Sequence, residues 1–110
     1  MFGGGKMLER LNQVVALYDV YQAMLTDKQR EYLELYYQEN LTLSEIATEL
    51  GVSRNAVHDN IKRTEALLFD YEKKLAIFAR EQGRQEIYEQ LRDSTNDECV
   101  LALIQKLEDY

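Results

Sequence analysis

The stretch LSEIATELGVSRNAVHDNIKR, residues 43–63, sets an Ala, a Gly and a capping Ser between two short apolar stripes. Two helices that cross steeply over a turn of three or four residues need a small side chain at their closest approach. They also need a residue in the turn that accepts positive φ. Ala47 and Gly51 stand in those places, while Ile46, Leu50, Val52, Val57 and Ile61 can close a small core beneath them. Thr42 and Glu45 form a capping-box pair ahead of the first helix, and Ser53 is a good N-cap for the second. The pattern predicts a helix-turn-helix unit. Two ordinary helices joined by a glycine turn would also use Ala47 and Gly51. The combination of box, Ala, Gly, N-cap and apolar anchors is what separates the two readings.

Outward from this unit the sequence reads as helix throughout. Apolar residues from Leu8 to Leu25 recur at helical spacing and predict a first helix buried on a broad face. Thr26-Asp27-Lys28-Gln29 has the capping-box form and opens a second helix, which loses its pattern near Asn40. After Ser53 the chain runs to Gln82 without Gly or Pro, which predicts one long fourth helix. Gly83 is read as a bend, followed by a weaker apolar face at Ile87, Tyr88 and Leu91. Asp93 to Asp97 is a turn-and-cap cluster before a short fifth helix carrying Val100, Leu101, Ile104 and Leu107. The expected fold is therefore all-α with about five helices, a helix-turn-helix without a wing and a long C-terminal helix. The expected divisions are 1–6 as a flexible start or expression remnant outside the fold, 7–92 as the helix-turn-helix domain, and 93–110 as an acidic turn with a short helix.

Composition narrows the function. The 110 residues include no Pro and no Trp, a single cysteine (Cys99) and a single histidine (His58). An internal disulfide is excluded, and no Cys/His cluster has metal-ligand spacing, so no metal or cofactor is expected. One His, one Cys and scattered carboxylates assemble no nucleophile–base pair or phosphate loop, so no enzyme is expected. No apolar run reaches the roughly 18 residues that span a bilayer, and a cytoplasmic protein without membrane attachment is expected. Net charge is −7, which argues against indiscriminate binding to a polyanion. From Glu81 onward there are three basic and eight acidic residues, a balance of −5 against −2 for the rest.

Along the second helix of the unit, Arg54, Asn55, His58, Asp59, Lys62 and Arg63 fall off the Val57 and Ile61 face. Arg54 matches guanine or phosphate and Asn55 matches adenine bidentately, as the donor and acceptor patterns of the major groove require. Lys62 and Arg63 suit phosphates, and His58 suits either a phosphate contact or a plain helix position. Asp59 repels phosphate and can only accept from a base such as cytosine or orient a neighbouring Arg. Arg54, Asn55, His58, Lys62 and Arg63 are the candidate nucleic-acid residues, with double-stranded DNA as the expected target and RNA as the alternative. The patch is weak, and a dimer presenting two such helices is the easier route to affinity.

The apolar series Val57, Ile61, Leu68, Tyr71, Leu75 and Phe78 follows steps of three and four. It reads either as packing against the first helix or as self-association, and Leu68, Tyr71, Leu75 and Phe78 are the candidate homodimer seam. Cys99 reads as a small hydrophobe, and the tyrosines as core-rim residues with polar tips.

From Met7 to about Leu91 the chain resembles the YlxM-like family, small bacterial helix-turn-helix proteins similar to the fourth region of sigma factors. The resemblance rests on Leu25-Thr26-Asp27-Lys28-Gln29-Arg30, Leu35-Tyr36-Tyr37, Ser44-Glu45-Ile46-Ala47, Val52-Ser53-Arg54, Ala56-Val57 and Asp59-Asn60-Ile61-Lys62-Arg63-Thr64-Glu65. It implies a sigma region 4-like fold and a regulatory role in the signal recognition particle pathway. Asn55 and His58 stand where the family commonly has Gln and Tyr. Two functions remain open at this point. One is a DNA-binding regulator. The other is an adaptor whose acidic surface docks a basic partner such as the signal recognition particle protein, motivated by the balance of −5 after Arg80.

Overall fold

Four helix starts carry the side-chain caps that their sequences promise. In the computed structural model, which describes the backbone of residues 2–110 and side chains from residue 8 onward, six α-helices follow one another. They are α1 (Phe2–Tyr21), α2 (Asp27–Leu33), α3 (Leu43–Leu50), α4 (Arg54–Leu75), α5 (Ile77–Asp93) and α6 (Glu98–Asp109). No strand occurs among the described residues, and the all-α expectation holds.

At α2, Thr26 Oγ1 accepts from the Gln29 N–H at 3.1 Å while Gln29 Oε1 accepts from the Thr26 N–H at 2.9 Å. The Thr42–Glu45 pair repeats this at α3, with distances of 3.1 and 2.8 Å. Ser53 Oγ accepts from the Ala56 N–H at 3.0 Å at α4, and Asp97 Oδ1 accepts from the Cys99 N–H at 2.8 Å at α6. Each cap satisfies a backbone donor that the helix leaves orphaned. Gly51 closes α3 with φ 70°, the left-handed conformation that the turn requires and that only glycine adopts freely.

Two departures from the sequence reading concern helix bounds. α1 takes in Gly3, Gly4 and Gly5, which the sequence reading sets outside the fold; Met1 lies outside the described residues. Helix propagation costs far less than nucleation, so a helix anchored on Val14 and Leu17 can extend through residues that would not start one. The expected long fourth helix is instead two helices. The break falls at Ala76, in left-handed conformation with φ 53°, while α5 passes straight through Gly83. That division makes six helices of the expected five.

The chain forms two compact units, Met1–Leu75 and Ala76–Tyr110. In the first, α4 packs against α1, α2 and α3. Val14, Leu17 and Tyr21 of α1, Tyr32 and Leu33 of α2, and Ile46 of α3 meet Val57, Ile61 and Leu68 of α4 in its core. α2 runs on into a wider i→i+5 turn, Glu34–Gln38, in which the Glu39 N–H donates to the Glu34 carbonyl at 3.0 Å. Asn40 then adopts φ 58° and reverses the chain toward α3. In the second unit, α5 and α6 form an antiparallel hairpin around residues 94–97, with Tyr88 and Ile104 buried.

Candidate nucleic-acid interface

The rotation of α4 about its axis is set by what it buries. Val57 is 0% exposed, and Ile61, Thr64 and Leu68 are buried with it on the same stripe. At 3.6 residues per turn, Asn55, Asp59 and Lys62 therefore form the middle of the outward row. His58 occupies one shoulder of that row and Arg63 the other, while Arg54, the first residue of α4, lies nearer the direction of Ile61 and is exposed because it stands at the helix's N-terminal end. All six side chains are exposed; Asn55, His58, Lys62 and Arg63 share the outward half of α4 with Asp59 at its centre, and Arg54 stands at its N-terminal end.

Their present partners differ. Among the described residues, Arg54, Asn55 and Arg63 make no side-chain hydrogen bond or ion pair. His58 Nδ1 stands 3.7 Å from Asp59 Oδ1. Lys62 Nζ stands 3.7 Å from Oε1 of Glu65, a carboxylate that is only 2% exposed. The same Oε1 lies 3.5 Å from Arg10 Nη2, and the other oxygen accepts from the Tyr37 hydroxyl. The Arg10 guanidinium also lies over the Phe69 ring, 5.0 Å from its centre.

A buried carboxylate is tolerated only when its lone pairs are met. Here Tyr37, Arg10 and Lys62 meet them from three helical segments. The result places a second exposed cation, Arg10, beside Lys62 at the edge of the outward face of α4. Glu65 was visible in the sequence as a residue three positions after Lys62, on the buried side next to Thr64. Arg10 carried no such signal, because only the packing of α1 on α4 brings it there.

Tyr18, Tyr21 and Tyr37 are tied to carboxylates, and two of these hydroxyls are shifted. Burial, and then the hydrogen bond to Glu65, push the Tyr37 hydroxyl far above its ordinary value. Tyr18 is pushed up to about 12 by burial and by its 2.5 Å hydrogen bond to Glu34 Oε2. Beside the recognition helix, Ser44, Glu45, Thr48 and Glu49 line a shallow depression on α3. Its two carboxylates face any approaching phosphate unfavourably.

The expected dimer seam is split. Leu68 is fully buried within its own unit, and Tyr71 packs on Tyr21 with ring centres 5.9 Å apart. Leu75 remains 40% exposed at the end of α4, and Phe78 lies beyond the break at Ala76. Leu68 is thus taken up by its own core, and half-buried Tyr71 packs on Tyr21 of the first helix.

Two helices joined across a left-handed glycine, the second capped by Ser53 and turned so that its polar row faces outward, define a helix-turn-helix protein. The family described as "Putative helix-turn-helix protein, YlxM / p13 like" matches residues 8–109, and the chain belongs to it. A UPF0122 protein of Geobacillus sp. (strain WCH70) is 47% identical over 108 residues, covering 94% of this chain and 98% of its own. A UPF0122 protein of Anoxybacillus flavithermus is 48% identical over 107 residues, 93% of this chain and 97% of its own. Another, from Bacillus cereus (strain AH187), is 49% identical over 92 residues, 84% of each chain. Among the described residues no helix is long and apolar enough to cross a membrane.

Proposed function

We propose that this protein is a DNA-binding regulator that lays the N-terminal half of α4 in the major groove. The observation that carries this reading is the exposed row on α4 with Arg54 at its N-terminal end, where Arg54, Asn55 and Arg63 have no side-chain partner among the described residues. Polar groups held out on a rigid helix, already oriented, lose little entropy on meeting base edges and phosphates. Arg54 and Asn55 take the base-reading role, Lys62 and Arg63 hold phosphates, and His58 sits at the flank. Asp59 at the centre disfavours non-specific approach and favours a site that offers it a donor. With a net charge of −7, one copy binds weakly, and two copies presenting two recognition helices bind the target.

The test is binding to duplex DNA across a salt series. The parent is expected to show a steep linear fall of log K with log salt. An Arg54→Ala, Lys62→Ala variant is expected to bind more weakly and to lose roughly one unit of that slope, at about 0.9 for the Lys62 phosphate contact. A double variant that bound with the parent's affinity and slope would overturn the reading.

The resemblance to the YlxM-like proteins supports placing the regulation in the signal recognition particle pathway, in the cytoplasm. A second reading is favoured by the acidity after Arg80, a balance of −5. On that reading the protein is an adaptor that docks the basic protein component of the particle and makes no sequence-specific contact with DNA. Co-purification from lysate with and without nuclease separates the two, since recovery of the targeting proteins that survives nuclease belongs to the adaptor.

A further inference from the structure

The α5–α6 hairpin hides two apolar side chains well, Tyr88 and Ile104, and leaves more of them outside. Ile87, Leu91, Val100, Leu103 and Leu107 are between 38% and 61% exposed. Their positions are systematic. Ile87 and Leu91 stand one residue before and three after buried Tyr88. Leu103 and Leu107 stand one before and three after buried Ile104, and Val100 lies one turn earlier. Equal offsets put each pair on the same shoulder of its helix. Because the two helices run antiparallel, those shoulders turn to one face of the hairpin.

The opposite shoulder is polar. Arg92 pairs there with Glu108 and donates to Gln105 Oε1 at 3.3 Å. By the same helical phase, every acidic residue from Glu81 to Asp109 falls off the apolar face, and only Arg80 and Arg84 border it, at one end of α5. In a chain of net charge −7, clearing one face of acid is a specific arrangement. It is what two identical surfaces need, since apposed carboxylates would repel, and antiparallel pairing sends the two Arg pairs to opposite ends.

At ordinary side-chain areas the five exposed residues present about 450 Å², the size of patch that marks a contact site on a monomer. Doubled across a twofold they reach about 900 Å² before any rim is added, close to the roughly 1,200 Å² at which specific interfaces begin. Helices of 17 and 12 residues are marginal when isolated, and a pair of hairpins makes a four-helix bundle with a shared core.

We propose that this face of the hairpin is the homodimer interface, its occupant a second copy of the same face. It deepens the dimer element of the proposed function and replaces the Leu68–Phe78 seam, whose first two members are packed inside their own unit.

Mass in solution, measured by light scattering on the full chain without nucleic acid, tests it. The parent is expected at about twice the 12.9 kDa of one chain, and an Ile87→Glu, Leu103→Glu variant at the single-chain mass with its helical circular dichroism retained. A single-chain mass for the parent, a two-copy mass for that variant, or a dimer broken by Leu75→Glu instead, would each overturn the proposal. A second measurement avoids substitutions that add charge. In a Cys99→Ser background, Leu103→Cys is expected to cross-link on oxidation and Gln105→Cys, on the polar shoulder, is not. Equal cross-linking at both, or none at Leu103→Cys, overturns it. A dimeric parent without salt-dependent DNA binding would leave this interface standing while removing the DNA-binding reading.

Discussion

Individual side chains show how this small protein places charge at the margin of its core. Glu65 is buried on the flank of α4, between the core stripe and the outward row, and its oxygens are shared among Tyr37, Arg10 and Lys62. The carboxylate holds two cations at the edge of the proposed reading face and offsets one of them. Tyr37 and Tyr18 each keep a hydroxyl proton because a carboxylate accepts it in partly dry surroundings. An unfolded tyrosine releases its proton near pH 10, whereas Tyr18 in the fold holds it to about 12. Since the folded value lies above the unfolded one, the stabilisation is complete below pH 10 and disappears as pH rises through about 12. Urea midpoints measured from pH 8 to 12 are expected to fall across that window in the parent. A Tyr18→Phe, Tyr37→Phe variant, less stable at pH 8, is expected to fall less steeply; an equally steep fall would remove these tyrosines as the cause.

Helix ends divide into those that the sequence announces and one that it does not. Thr26, Thr42, Ser53 and Asp97 are all cap residues with an unambiguous local chemistry, and each is found capping. Ala76 has the highest helix propensity of any residue, so nothing local marks it as a break. The break follows the point where tertiary support for α4 runs out. α1 ends at Tyr21, whose hydroxyl donates to Glu72 Oε1 at 2.6 Å, and Leu75 beyond it is already exposed. A left-handed alanine costs roughly 1–2 kcal/mol because Cβ crowds the following carbonyl. Ala76→Gly, which relieves that crowding but loosens the unfolded chain, is expected to stabilise the protein by about 1 kcal/mol in equilibrium unfolding. A loss of stability of that size would mean that the residue is helical in solution and α4 continuous with α5.

At the scale of the whole molecule, negative charge is denser in the second of the two units, which is the shorter. The unit Ala76–Tyr110 carries eight acidic and four basic residues, so the repulsion that opposes the proposed DNA binding is densest there. Substituting Glu86, Glu89 and Asp93 with their amides is expected to raise non-specific DNA affinity several-fold at low salt, by removing like-charge repulsion. The same variant weakens capture of the basic targeting protein if the adaptor reading holds. Unchanged capture would count against that reading.

Much of this organisation was legible before any coordinates. Residues 43–63 determined the helix-turn-helix, because capping boxes, the left-handed glycine and the apolar anchors of α3 and α4 are local chemistry that a neighbouring helix does not rewrite. The outward placement of Asn55, His58, Lys62 and Arg63 followed from the same helical period, and the exposure of Arg54 from its place at the start of α4. Three things were decided only by tertiary structure: the fate of Leu68 and Tyr71, the meeting of Arg10 with Lys62 at Glu65, and the break at Ala76. Each depends on where α1 lies along α4 and where it stops. A helical period states which residues share a face; it does not say which helix covers that face, or for how many turns.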